Sequence, residues 1–365
     1  MASNNATIAD EDGDYPDWIE IYNFGDESIN LSGFGLSDDY DNPFRWVFPD
    51  TTIGAGEFML IWASNKDRAD PGGELHTNFA IDSDGEELLL TRTDSTRIDE
   101  LPPTEIPTDI SIGRQPDGTG EWVFFDDPTP GGPNTTESIS ELLEPPVFSH
   151  QPGFYTSGFD LEITHPDPDV TIYFTTNGSE PTTDSEILSG TISIRDRTAE
   201  PNNFSAIPSN FIPGGTRAWM EPEPNQKKGT VVRVKAVKSG AWPSSATSTY
   251  FVFPEGNDAY TLPVVSIATD SLNLFGHDEG IYVPGRTHRT GDHATGNYVQ
   301  RGEEWERPGH LEFFDDTGNP VWSQGLGLRI HGGFTRRFTL KSLRLYARNI
   351  YGDNRFNYPV FPDQP

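Results

Sequence analysis

The spacing of turn residues restricts this fold more than any other feature. Clusters of Gly, Pro, Asn and Asp recur at intervals of roughly ten residues, and the runs between them are short: WIEIYN, RWVFPD and FMLIWAS early, VTIYFTT and VVRVKAV in the middle, LEFF and LGLRI late. A helix needs a 3.6-residue apolar period sustained over three turns or more, and such stretches are scarce. Short alternating runs between breakers predict a mainly β chain. At 365 residues, with 36 glycines and 31 prolines, it has room for three domains. The longest apolar run, FMLIWA at 58–63, is far short of the roughly twenty residues that cross a bilayer, so no membrane span is expected. Cysteine is absent, which excludes disulfides and thiolate chemistry.

Charge divides the chain further. Residues 1–137 hold 30 acids and 6 bases, so they supply −24 of the formal −32. Such a surface repels nucleic acid and anionic lipid, whose binding requires a basic face. The plainest role for the excess is solvation at high ionic strength. Against this background RIHGGFTRRFTLKSLRLYAR, residues 329–348, carries five arginines, one lysine and no acid. That contrast marks it as a candidate anion site.

Seven or eight strands over residues 18–126 predict an immunoglobulin-like β-sandwich. The residues DYPDWIEIYNFGDESINLSGFGLSDD, WVFPD, LHTNFAI, GEELLLT and GRQPDGTGEWVFFDDPTPGGPN resemble a bacterial lamin tail domain, placed over 1–135. The resemblance implies an interaction module rather than an enzyme. It also implies a first strand just before Met1, whose absence would leave an unpaired edge. Within the segment, Asp10, Asp12, Asp14 and Asp17 surround Gly13 densely enough to suggest a calcium site, although the EF-hand order of glycine and glutamate is not met. A solvated acidic turn is the plainer reading.

Residues 136–146 form an expected linker, with Ser138 and Glu141 spaced as a capping box for a short helical turn ended by Pro145. Downstream, period-two alternation predicts a second, fibronectin-like β-sandwich over 147–253. TIYFTTNGSEPT and RVKAV followed by GAWPSSATSTYFV are similar to the chitobiase/β-hexosaminidase C-terminal domain, interrupted by an insertion near 195–228. Such a module accompanies catalytic or binding domains without chemistry of its own. Tyr173, Phe174, Trp219 and Trp242 could stack on sugars, although aromatics at strand spacing more often fill cores. The Asn-x-Ser/Thr triplets at Asn5, Asn30, Asn134, Asn177 and Asn203 matter only in a glycosylating host.

From 254 the pattern predicts a helical turn, DSLNLFG, then two hairpins. LEFF and LGLRI pair across Thr317-Gly318-Asn319-Pro320, and LGLRI pairs with LKSLRLYA across Gly332-Gly333 and TRR. On the last strand Lys341, Leu343 and Leu345 share one face, and Ser342, Arg344 and Tyr346 the other. LPVVSIATD, GIYVPG, GNYVQRGEEWERPGHLEFFD and the basic stretch resemble the amino-terminal part of the spore-coat-protein-H (CotH) family of atypical protein kinases. The resemblance implies a partial α+β domain over 254–365 and ATP with magnesium as cofactors of the full-length parent. By the same resemblance Lys341 contacts nucleotide phosphates, with Arg329, Gly332 and Gly333 near the pocket. Arg336, Arg337 and Arg344 would add positive potential.

The catalytic carboxylates of that family would lie after this hairpin, so the chain as it stands is expected to be inactive. The leading expectation is therefore a fragment of a modular, extracellular or cell-surface protein, its sandwiches binding a protein or cell-surface polymer. The alternatives are a non-enzymatic adhesive or structural surface protein and a carbohydrate-binding accessory module. His277, Asp278, His288, Asp292 and His293 form a rival metal cluster in sequence, at spacings that match no helical pair.

Overall fold

The computed structural model describes residues 1–82, 85–353 and 355–359, and the chain divides into two compact units, Met1–Leu142 and Leu143–Pro365. The fold is mainly β, as the turn spacing predicts. No helix among the described residues is long and apolar enough to cross a membrane.

In the first unit the apolar run 58–63 becomes the strand Phe58–Ala63, paired antiparallel with Asp17–Tyr22 and parallel with Leu75–His76. A second sheet orders Trp46–Val47, Gly35–Ser37, Leu88–Thr91 and Arg97–Leu101. A third orders Ser111–Gln115, Glu121–Phe125 and Ser138–Ile139. Leu36, Ile61, Phe79, Leu89 and Phe125 form the buried interior. Each such side chain contributes about 1.5–3 kcal/mol by leaving water.

The helical turn expected from Ser138 and Glu141 does not form: Ser138–Ile139 and Glu141–Leu142 are strands. Ile139 is buried opposite Phe124, and Ser138 lies opposite Phe125. Burying an isoleucine within a sheet outweighs a cap worth about 1 kcal/mol.

In the second unit a five-stranded sheet orders Gly153–Tyr155, Ser244–Val252, Gly229–Val237, Thr171–Thr175 and Glu186–Ile187. Gly229–Val237 alternates half-buried and buried along its whole length, which sends Val232 and Val234 into a core with Leu161, Ile194 and Tyr250. Phe174 packs against the same core.

The expected hairpins are present in a four-stranded sheet of Val264–Ala268, Arg307–Phe314, Pro320–His331 and Ser342–Tyr346. Its apolar face holds Leu311, Leu326, Leu328, Ile330 and Tyr298. The predicted helical turn is Ser271–Phe275, with the Asp270 side chain accepting the Leu272 N–H and the chain leaving the helix at Gly276. Segment 195–228 carries no strand, yet it reaches the last hairpin: Ser209 Oγ donates to the Thr339 carbonyl at 3.1 Å and Asn210 Nδ2 to that of Arg337 at 3.0 Å.

Candidate functional site

The antiparallel register of Pro320–His331 with Ser342–Tyr346 sets Arg329 directly opposite Arg344 and His331 opposite Ser342. Like charges facing each other across a ladder repel, so their pairing needs a compensating reason. Two more arginines approach. Arg336, on the short turn Phe334–Arg337, donates from Nε to the Gly332 carbonyl at 2.6 Å and from Nη1 to the Gln300 carbonyl at 2.7 Å. Arg301 stands beside Gln300 on the other wall, and a cavity of about 190 Å³ lies between them, lined by Arg301, Arg329, Arg336 and Arg344 together with His331 and Tyr346.

Each of these cations is placed differently. The Arg329 guanidinium lies 4.1 Å from the centre of the Tyr346 ring, with Glu306 Oε2 at 3.4 Å from its Nε. Glu306 is shared with Arg348, whose Nε lies 2.8 Å away. Arg344 meets only the His331 imidazole, at 3.3 Å, and among the described residues neither it nor Arg301 has a carboxylate partner. Burial, then the charges of Arg301, Arg329 and Arg344, push the Arg336 guanidinium below its usual pKa. No acidic residue lines the cavity. Its potential is therefore positive, and an anion entering it would be held by charge-assisted hydrogen bonds.

Lys341 lies elsewhere. Its position one residue before the strand puts it with Leu343 and Leu345 on the core face, while Arg344 and Tyr346 face the cavity. Nζ donates to the carbonyls of Ser209 at 2.9 Å and Phe338 at 2.6 Å, and it sits over the rings of Tyr282 and Tyr298. Burial lowers its pKa to about 7. Gly332, at φ +106°, makes the turn that a side chain would strain, and its carbonyl anchors Arg336. Gly333 follows it without lining the cavity. Of the residues expected around phosphate, Arg329 and Arg344 are thus brought together with Arg336. Arg301 and Gln300 come from a distant segment that the basic stretch does not signal.

The acidic loop of the first unit separates into two sites. Asp10, Asp12 and Asp14 converge on Lys66 Nζ at 2.5, 2.8 and 2.8 Å, and Asp10 Oδ1 also accepts the N–H groups of Asp12 and Asp14. Asp17 is not with them. Its carboxylate accepts the Ile81 N–H, and burial raises its pKa to about 6. The oxygens of Asp10, Asp12 and Asp14 gather within 4.8 Å of one another, as a metal site requires, but the Lys66 ammonium already fills the position between them. Desolvation works against that ammonium, and the hydrogen bonds it donates to the three carboxylates outweigh it, holding its pKa above the usual lysine range. Lys66→Met should therefore lower the melting temperature of the full chain by calorimetry. Added calcium should restore part of the loss in the variant and change the parent little.

A third polar cluster joins Ser64 Oγ to the buried His76 Nδ1 at 2.9 Å and His76 Nε2 to Glu11 at 2.9 Å. Glu11 is also bound by Arg68, so this arrangement ties the acidic loop to the strand end. Among the described residues, His277, His288 and His293 with Asp278 and Asp292 gather no three-ligand set. His277 pairs only with its neighbour Asp278.

Comparison with known proteins matches residues 2–104 to the Lamin Tail Domain and residues 150–205 to the Chitobiase/beta-hexosaminidase C-terminal domain. No curated protein and no solved structure matches the chain. The CotH resemblance has no matching family model. The two matched segments, each folded into small sheets, make this a modular β-sandwich protein.

Proposed function

We propose that residues 254–365 supply a phosphate-binding pocket to a modular exported protein, whose two β-sandwich segments engage a protein or cell-surface polymer. The observation that carries this reading is the convergence of Arg301, Arg329, Arg336 and Arg344 on one cavity in a chain of net charge −32. Four guanidinium groups with one shared carboxylate nearby cost folding free energy unless an anion offsets their repulsion. A cavity of about 190 Å³ suits a phosphoryl or diphosphoryl group, with any sugar and base lying outside it. The CotH resemblance supports nucleotide as the source of that group.

Phosphoryl transfer needs carboxylates that hold magnesium and a base that orients the nucleophile. Glu306 is held by Arg329 and Arg348, so the pocket is a binder of phosphate rather than a complete kinase centre. Titration calorimetry of the full chain with sodium pyrophosphate, and with ATP with and without magnesium, tests this. Binding that weakens as salt rises is the expected result. Absence of heat at about 1 mM pyrophosphate in low salt would overturn the reading.

A further inference from the structure

The arginine cavity is lined by one side chain of a type that changes charge near neutral pH, His331. It is the last residue of the strand Pro320–His331, two positions beyond Arg329, so both line the cavity while Leu328 and Ile330 pack in the core. Its ring Nε2 lies 3.3 Å from Arg344 Nη2. A guanidinium can only donate. The imidazole therefore accepts through Nε2 and carries its single proton on Nδ1, as a neutral ring.

Every charged side chain that lines the cavity beside this ring is a cation. Arg329 precedes it on its own strand, Arg344 comes from Ser342–Tyr346, Arg336 from the turn Phe334–Arg337 and Arg301 from the opposite wall. Tyr346, the remaining titratable group of the lining, lies against the Arg329 guanidinium. Glu306 is turned to Arg329 and Arg348 and does not line the cavity. A second proton on the ring would set one N–H against another across the 3.3 Å contact and add a fifth positive charge. A dianion reverses that balance. One of its oxygens can accept from Arg344 and from a protonated Nε2 together, both as charge-assisted hydrogen bonds.

We propose that His331 is a fifth donor to the anion in this pocket, and that binding draws one proton from solvent onto its ring. The inference rests on the phosphate-binding reading of the pocket and adds the regulation of that site: its hold on a dianion tightens as pH falls. The reason is reciprocity. An anion that favours the added proton is itself bound more tightly when the proton is present.

Sulfate is the probe, because it stays a dianion over the range used, whereas a phosphoryl group gains a proton of its own and would mask the effect. Titration calorimetry of the full chain with sodium sulfate at low salt, at about pH 5.5 and about pH 8.5, should show binding about tenfold tighter at the lower pH. His331→Gln keeps an acceptor for Arg344 and removes the titrating group. The position is exposed, so the fold should tolerate the change. In that variant the ratio between the two pH values should fall below about threefold. The His331 ring resonance, assigned by its loss in the variant, should titrate at higher pH in saturating sulfate than in chloride of equal ionic strength. A pH ratio that is the same in parent and variant, or a resonance that sulfate leaves unmoved, would overturn this inference alone. Sulfate that fails to bind at the lower pH also overturns it, and pyrophosphate binding to the same chain then decides whether the pocket fails with it.

Discussion

A double variant, Arg329→Ala with Arg344→Ala, should bind pyrophosphate more than about a hundredfold more weakly than the parent chain, because each lost charge-assisted hydrogen bond is worth about 1.5–3 kcal/mol. These two guanidinium groups face each other across one ladder and line the cavity together. Lys341→Met should leave the affinity within about threefold. That contrast separates two accounts of the basic stretch. By resemblance to CotH kinases Lys341 contacts phosphate, and removing it would then abolish binding. By geometry its ammonium is spent on the Ser209 and Phe338 carbonyls and two tyrosine rings, on the other face of the strand. Calorimetry on the two variants decides between them, with thermal unfolding as a check that Lys341→Met still folds.

Glu312→Gln should stabilise the second unit relative to the parent by an amount that grows as pH rises from about 4.5 to 7, whereas His310, whose pKa burial lowers from 6.5 to about 4, pulls the parent's own stability the opposite way over much of that range. Glu312 lies on Arg307–Phe314 in the four-stranded sheet, where Thr249 Oγ1 donates to its Oε2 at 2.5 Å and itself lies 2.8 Å from Ser266 Oγ. Burial raises its pKa from 4.5 to about 7, and the Thr249 bond only partly opposes this. A carboxyl whose folded pKa is raised imposes no penalty below its unfolded value. The penalty grows as pH climbs between the two and is complete above the folded value. At pH 8 it amounts to about 3 kcal/mol. The glutamine keeps an acceptor for Thr249 without the charge. Urea unfolding at pH 5 and pH 8, following the second unit, should show a gain in midpoint of the variant over the parent that is small at pH 5 and larger at pH 8. An equal difference at the two pH values would mean that water reaches the carboxylate.

Occupation of the arginine cavity should not require large movement. Arg336 is tied at both ends of its guanidinium to carbonyls, and Arg329 is stacked on Tyr346. Groups already held in place lose little freedom when an anion binds. Arg301 and Arg344 are exposed and supply the adjustable part of the site.

Local pattern by itself determined much of this protein. Turn clusters set the strands, period-two alternation separated the faces of Gly229–Val237, and Asp270 with Gly276 bounded the short helix. The same alternation put Lys341 with Leu343 and Leu345, so its burial was legible even though resemblance assigned it to phosphate. The helical turn expected at Ser138 and Glu141 failed because burial of Ile139 against a distant strand overrode a local cap. Only the tertiary structure decided the sites. Arg301 reaches Arg329 and Arg344 from another segment, Lys66 comes to Asp10 from 56 residues away, and Met1 pairs with Trp18 across 17. These meetings follow from which strands pair and in what register, and that is settled by the packing of the whole sheet rather than by the residues on either side of any one of them.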